Sequence, residues 1–256
     1  MKTKLFFILA VLLITATAVK ADDFKDAMIK AKKNLTDATN TMDEKQLLKV
    51  RGEYERILQL KQDEWLVNYF IAYVDYNLAY TGMSDGKNDM EKMKKYNNSA
   101  IELINKAIEQ KSDFSESYIL KYGLNFNRFI YEMEKMMEIA TTSAQLEQKI
   151  KAMDNDNPRF QYLLGASTYF TPENFGGGVS KSIPIFEKSI QLFSSRVEKE
   201  EYYPDWGGDQ AYGYLALAYN KLEQFDKVKE YYDKGKELYP NSGFLNNYIK
   251  AELEKK

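Results

Sequence analysis

The clearest helical pattern in the chain is Asp209–Pro240, DQAYGYLALAYNKLEQFDKVKEYYDKGKELYP. Apolar and small residues recur every three or four positions in each half, which is the period of an amphipathic helix. Leu222–Gln224 separates the two halves, and Pro240 ends the second because proline cannot continue a helix. The stretch predicts two antiparallel helices, and the small residues Ala216 and Gly235 allow them to cross closely.

This stretch resembles a tetratricopeptide repeat, a helix pair of about 34 residues. The match covers an aromatic position, a Leu-Gly pair, further aromatic and small positions, and a final proline. In this sequence these are Tyr212, Leu215, Ala216, Tyr219, Phe225, Val228, Tyr232, Gly235 and Pro240. Val228 and Gly235 replace the usual alanines, and Glu223 replaces the usual glycine.

Earlier copies of the repeat are weaker. PRFQYLLGASTYF, from Pro158, carries Leu164 and Gly165 at the Leu-Gly positions, and TPENFGGG, at 171–178, lengthens that copy. Repeat starts fall near residues 65, 115, 158 and 209, so extra loops are needed, and 81–97 and 194–208 are their expected places. Residues 242–254 are expected to form the capping helix.

The predicted fold is therefore all-α: an α-solenoid of tetratricopeptide-like antiparallel helix pairs with inserted loops. Five prolines and 13 glycines punctuate the long helical segments. No alternating apolar and polar run with hairpin dipeptides is present, so strands are not expected.

The first 21 residues are predicted to be a signal peptide, and 22–256 a single helical repeat domain. Lys2 and Lys4 precede the apolar run 5–13, and Ala21 ends a plausible cleavage site. No later stretch approaches 18 consecutive apolar residues, so no integral membrane segment is expected after cleavage. Without a cysteine there is no lipoprotein anchor, and a periplasmic or secreted location is predicted.

Composition narrows the classes of function. The chain has no histidine and no cysteine, which excludes imidazole-dependent triads and thiolate metal sites. No cofactor or metal is expected. Removal of the signal would change the formal net charge from -2 to -5, and no long basic run remains, so nucleic acid is not an expected partner.

The resemblance implies a concave surface formed by the first helix of each pair. The corresponding positions in this sequence are Leu66, Tyr69, Tyr73, Tyr76, Asn77, Glu116, Ile119, Gly123, Phe126, Asn127, Arg159, Tyr162, Ala166, Tyr169, Phe170, Gln210, Gly213, Leu217, Asn220 and Lys221. Twelve of them are the expected partner contacts, namely Tyr69, Tyr73, Tyr76, Asn77, Glu116, Phe126, Asn127, Arg159, Tyr162, Tyr169, Asn220 and Lys221. For any single tyrosine, packing in the core is an equally good interpretation.

Short motifs receive structural interpretations. TPENFGGG is expected to be a turn with glycines at positive φ, in preference to an anion site. Asp154–Asn157 superficially matches a calcium loop, but Asn157 capping a helix at Pro158 is favoured. The methionines 133, 136 and 137 could form an adaptable surface, although filling the core is the commoner role.

Three functions follow as hypotheses. The first is a non-enzymatic exported scaffold that binds a protein or peptide in the concave groove. The second is a periplasmic accessory protein of a transport system that binds a small molecule. The third, and least favoured, is a glycan-active enzyme that needs a pair of carboxylates.

Overall fold

The computed structural model describes residues 23–83 and 88–255; the predicted signal peptide lies outside them. These residues form eleven α-helices and no strand. The helices are α1 (23–41), α2 (Glu44–Leu58), α3 (Glu64–Tyr80), α4 (Met90–Gln110), α5 (Ser115–Tyr131), α6 (Met136–Asp154), α7 (Pro158–Phe170), α8 (Val179–Ser195), α9 (Gly208–Lys221), α10 (Phe225–Leu238) and α11 (Lys250–Glu254). A π-helical turn, Phe244–Ile249, runs directly into α11.

Consecutive helices pack together from α2 to α6 and from α7 to α10, and the first helices of successive pairs also touch, α3 against α5, α5 against α7, and α7 against α9. Those four helices therefore form a continuous row. They begin at Glu64, Ser115, Pro158 and Gly208, each within one residue of a predicted repeat start. The predicted all-α repeat architecture is confirmed.

Small residues allow the helices of a pair to cross closely. A methyl group on Gly165 would lie 2.7 Å from the ring of Phe186 on α8. One on Gly235 would lie 2.8 Å from the Cβ of Tyr212 on α9. Because real Cβ atoms do not approach this closely, glycine sets the distance between these helices. The crossing predicted at Gly235 is confirmed.

The predicted cap at Asn157 is also confirmed. Its side chain accepts a hydrogen bond from the Arg159 amide at 3.0 Å, and Pro158 occupies the first turn of α7. The turn in TPENFGGG is confirmed as well, with φ of +90° at Gly176 and +120° at Gly178.

One loop prediction was wrong in part. Within the polar stretch 81–97, α4 already begins at Met90, and the Asp89 carboxylate caps it by accepting from the Lys92 amide at 2.9 Å. From Met93, buried residues follow at spacings of four and three through Asn97 to Ala107. This stripe holds the polar-looking segment in a helix. The loop predicted at 194–208 is confirmed, since α8 ends at Ser195 and α9 begins at Gly208.

Two further features differ from expectation. The segment predicted as one capping helix, 242–254, divides into the π-helical turn and α11. Met133, Met136 and Met137 are 70%, 47% and 76% exposed, so they do not fill the core. Among the described residues, no helix is both long and apolar enough to cross a membrane.

Candidate functional site

The row of first helices encloses a cleft that we call the aromatic cleft. The cavity itself is small, about 40 Å³, and the space reaches about 360 Å³ when its open mouth is included. Seven of its eleven lining residues are aromatic and none is charged. They are Tyr76 and Tyr80 from α3, Tyr122, Gly123, Phe126 and Asn127 from α5, Tyr162, Leu163, Ala166 and Phe170 from α7, and Tyr214 from α9.

Helical spacing places these side chains on one face. Tyr76 and Tyr80 are four residues apart on α3, and Tyr162, Ala166 and Phe170 continue the same spacing on α7. Residues separated by four lie above one another on an α-helix. Gly123 adds no side chain, and a methyl group there would lie 3.6 Å from the Tyr76 ring. Small residues between large rings thus create the space.

The aromatic rings hold one another in place. The Tyr162 and Tyr214 rings stack with centroids 6.3 Å apart and an interplanar angle of 29°. Phe170 meets Tyr214 edge-on at 5.8 Å. Phe244, in the π-helical turn, lies 5.5 Å from Tyr214, so the C-terminal segment closes one side of the cleft. Tyr248 stacks on Phe244 and is 47% exposed.

A buried polar network fixes one edge of the cleft. The Tyr80 hydroxyl donates to Asn127 Oδ1 at 2.6 Å, and Asn127 Nδ2 donates to Asn97 Oδ1 at 3.1 Å. Asn97 Nδ2 in turn donates to the Leu124 carbonyl and to the Tyr131 hydroxyl. Asn127 is 1% exposed. Its amide is therefore held in one orientation by partners on both sides.

Burial raises the pKa of each of the cleft tyrosines Tyr76, Tyr80, Tyr162 and Tyr214 well above the ordinary value for a phenol, and neighbouring phenols raise it further. The cause is that an ionised phenol would be poorly solvated among these rings. The cleft therefore presents neutral hydroxyls at physiological pH.

The rest of the concave surface is covered by the chain itself. We call residues 202–206, YYPDW, the strap. The Trp206 ring stacks on Tyr73 at 4.9 Å, and its Nε1 donates to the Tyr69 hydroxyl at 2.8 Å. The Tyr203 ring meets Phe114 edge-on at 5.8 Å. Lys32 of α1 binds Asp205 at 2.8 Å, which fixes the strap across the N-terminal ends of the row helices.

A buried ion pair anchors the preceding residues. Arg159 donates from Nε and Nη2 to Glu116, at 2.7 and 2.5 Å, and from Nη2 to Glu198 at 2.6 Å. The side chains of Arg159 and Glu116 are 1% and 3% exposed. Arg196 reaches the same cluster, with its Nε 3.1 Å from Glu198. The cluster joins α5, α7 and the loop that leads to the strap.

The predicted contact residues fall into three places. Tyr76, Phe126, Asn127 and Tyr162 line the aromatic cleft, and Tyr169 borders it through Phe170 at 5.0 Å. Tyr69, Tyr73, Asn77, Glu116 and Arg159 are buried, so their assignment to an accessible surface is corrected. The strap contacts Tyr69 and Tyr73, Arg159 and Glu116 pair with each other, and the Asn77 amide donates to the Tyr73 carbonyl at 2.7 Å. Asn220 borders a separate groove beside α10, and Lys221 is exposed at the end of α9.

Four lining residues were missed by the sequence interpretation: Tyr80, Tyr122, Leu163 and Tyr214. Tyr80 was available from the spacing of four after Tyr76. Tyr214 could not be found in this way, because its neighbour Gly213 occupies the expected concave position. A methyl group on Gly213 would lie 2.7 Å from Phe244, so the C-terminal segment fills that position.

Comparisons with known proteins give one informative result. No protein-family model matches the sequence, and no curated protein matches it. Among solved structures, the chain is similar to the HusA haemophore from Porphyromonas gingivalis, with 22% sequence identity and a TM-score of 0.64. The match covers 77% of this chain and 94% of that one. At this identity the likeness establishes the fold.

Proposed function

We propose that the chain is an exported, non-enzymatic carrier that binds a flat, largely apolar small molecule in the aromatic cleft. The observation that carries the proposal is a cleft lined by seven aromatic residues and no charged one. Ligand sites are typically apolar concavities with a few placed polar groups. Because the structural neighbour is a haemophore, tetrapyrroles such as haem are the first ligand class to test.

The residues present fit the macrocycle better than its iron. The chain has no histidine or cysteine, and no methionine lines the cleft. A tyrosine can ligate haem iron only as a phenolate, and burial opposes ionisation of these phenols. Stacking and dispersion contacts with the ring system would then supply most of the affinity. Haem and metal-free protoporphyrin IX are therefore expected to bind about equally.

The geometry of the concave surface favours a small-molecule ligand over a peptide. The strap covers the N-terminal half of the concave surface, where an extended peptide would have lain over Tyr69 and Tyr73. What stays open is a short cleft between α3, α5, α7 and α9. The transport-accessory hypothesis agrees with this geometry. The glycan-enzyme hypothesis gains no support, because no carboxylate lines the aromatic cleft.

The test is a titration of the chain lacking residues 1–21 with haem and with protoporphyrin IX. Quenching of tryptophan fluorescence reports binding, since one of the two tryptophans, Trp206, packs 6.4 Å from Tyr162. Ala166→Phe should fill the cleft and weaken binding more than about tenfold, which corresponds to about 1.4 kcal/mol. Ala152→Phe, on the exposed face of α6, is the matched control and should bind as the wild type does.

Two results would contradict the proposal. One is the absence of saturable binding to either tetrapyrrole. The other is equal affinity in wild type and Ala166→Phe, provided that both variants unfold at temperatures close to that of the wild type. The second result would mean that the ligand binds to a different surface of the protein.

A further inference from the structure

Two hydroxyls in the aromatic cleft have no partner in the protein. Tyr162 on α7 is 7% exposed, and Tyr214 on α9 is half-buried. Within residues 23–83 and 88–255, no hydrogen bond engages either phenol oxygen. The buried and unpaired side-chain oxygens of this part of the chain belong to Tyr54, Ser117 and Gln210. The oxygens of Tyr162 and Tyr214 therefore face open space.

Several other tyrosines in and around the row helices are paired. The Tyr80 hydroxyl donates to Asn127, the Tyr69 hydroxyl accepts from Trp206, and the Tyr219 hydroxyl donates to Glu187 at 2.8 Å. The Tyr162 and Tyr214 oxygens are not among the buried, unpaired atoms of the described residues, so both can be reached from the open side of the cleft. Two accessible hydroxyls without a protein partner, in one cleft, are available to a ligand.

Packing fixes the direction of both hydroxyls. The Tyr214 ring stacks on Phe186, with centroids 6.0 Å apart and an interplanar angle of 7°, and it also stacks on Tyr162. The Tyr162 ring meets Trp206 edge-on at 6.4 Å. Since neither ring can swing away without losing these contacts, both side chains are held in place, and both line the same cleft.

The hydroxyls of Tyr162 and Tyr214 are suited to a ligand that carries a hydrogen-bond acceptor. Both phenols are protonated at physiological pH, as an ordinary tyrosine is, and each can donate one hydrogen bond. No charged residue lines the cleft to attract or repel the bound group. A ligand oxygen with free lone pairs is the complementary group.

We propose that Tyr162 and Tyr214 donate hydrogen bonds to an oxygen acceptor, a carboxylate or carbonyl, on the inserted edge of the bound molecule. This inference rests on the proposed function and adds orientation to it. A tetrapyrrole would enter with an oxygen-bearing edge directed towards α7 and α9. Its alkyl substituents and ring face would lie against Tyr76, Phe126 and Phe170.

The experiment compares two metal-free macrocycles in the same detergent buffer: protoporphyrin IX, which carries two carboxylates, and etioporphyrin, whose substituents are all alkyl. The variants are Tyr162→Phe and Tyr214→Phe, which keep the rings and remove only the hydroxyls. Tyr231→Phe is the matched control, because the Tyr231 hydroxyl bonds Glu187 at 3.1 Å, away from the cleft.

Each cleft variant should weaken protoporphyrin IX binding about tenfold, which is the usual effect of losing one hydrogen bond to a charged group. Etioporphyrin binding should be unchanged, and Tyr231→Phe should change neither affinity. Equal losses of affinity for both macrocycles would mean that the hydroxyls act through packing. Unchanged affinity for protoporphyrin IX would mean that the hydroxyls do not contact the ligand. Either result overturns the inference while the proposed function stands. Failure of the wild type to bind either macrocycle overturns both.

Discussion

The buried pair Glu116–Arg159 gives the sharpest test of what holds the site together. Glu116→Gln keeps the shape of the side chain and removes its charge. Arg159, 1% exposed, would then keep only Glu198 as an ionised partner within 4 Å in the described residues. Removing one partner of a buried ion pair typically costs about 3–5 kcal/mol. Since glutamine still accepts hydrogen bonds and Glu198 remains, we expect a loss of about 3 kcal/mol.

The assay is urea unfolding followed by circular dichroism, with the slope of the transition compared to ensure that the unfolded states match. Asp233→Asn is the control, because Asp233 pairs with Lys229 on α10 where the side chains are 56% and 79% exposed. Exposed pairs contribute about 0–1 kcal/mol. Glu116→Gln combined with Arg159→Met should recover part of the loss, since no unpaired charge is then buried.

A loss below about 1 kcal/mol for Glu116→Gln, similar to that of the exposed control, would refute the reasoning. It would mean that Arg159 finds water or another acceptor when Glu116 is neutral. An additive double mutant would also count against a coupled pair, because residues in one ion-pair network should show a coupling energy.

Three further outcomes are expected. Trp206→Phe removes the donor to Tyr69, whose buried hydroxyl is then unpaired, and should destabilise the chain by about 1–3 kcal/mol in thermal or urea unfolding. Gly165→Ala pushes a methyl group into Phe186 and should cost about 1–3 kcal/mol by the same measurement. Burial raises the pKa of Tyr122 to about 12, so its contribution to stability is complete below pH 10 and is lost as the pH rises towards 12. Ultraviolet titration of the phenols should show a group that ionises only with alkaline unfolding; ionisation of all tyrosines near pH 10 in the folded chain would contradict this.

The sequence pattern predicted the repeat architecture because each helix pair is specified by residues that lie close together in the chain. Gly165 and Gly235 mark close crossings in the sequence itself, and Asn157 with Pro158 marks a helix start. Helix α1 carried the same kind of signal, since Phe24, Met28, Ala31, Leu35 and Ala38 are buried at spacings of four and three, and it could have been predicted.

The strap could not be predicted in this way. Trp206 contacts Tyr69 and Tyr73, more than 130 residues earlier, and no period in the sequence links them. The repeat resemblance placed Tyr69 and Arg159 at concave positions, and it carries no information on what covers those positions. Tyr76 and Phe126, nearer the C-terminal ends of the row helices, line the cleft, and their contact with a partner stays a prediction.

The strap also explains why a repeat architecture would serve a small ligand. Stacked helix pairs usually present an extended concave surface, which suits a long partner. In this chain Trp206 and Tyr203 of the strap cover part of that surface. Lys32 and the ion-pair cluster around Arg159 hold the strap in place. The cover leaves the row open only where Gly123 and Ala166 make space between aromatic rings. The loop between α8 and α9 would therefore limit the size and polarity of the proposed ligand as much as the repeats do.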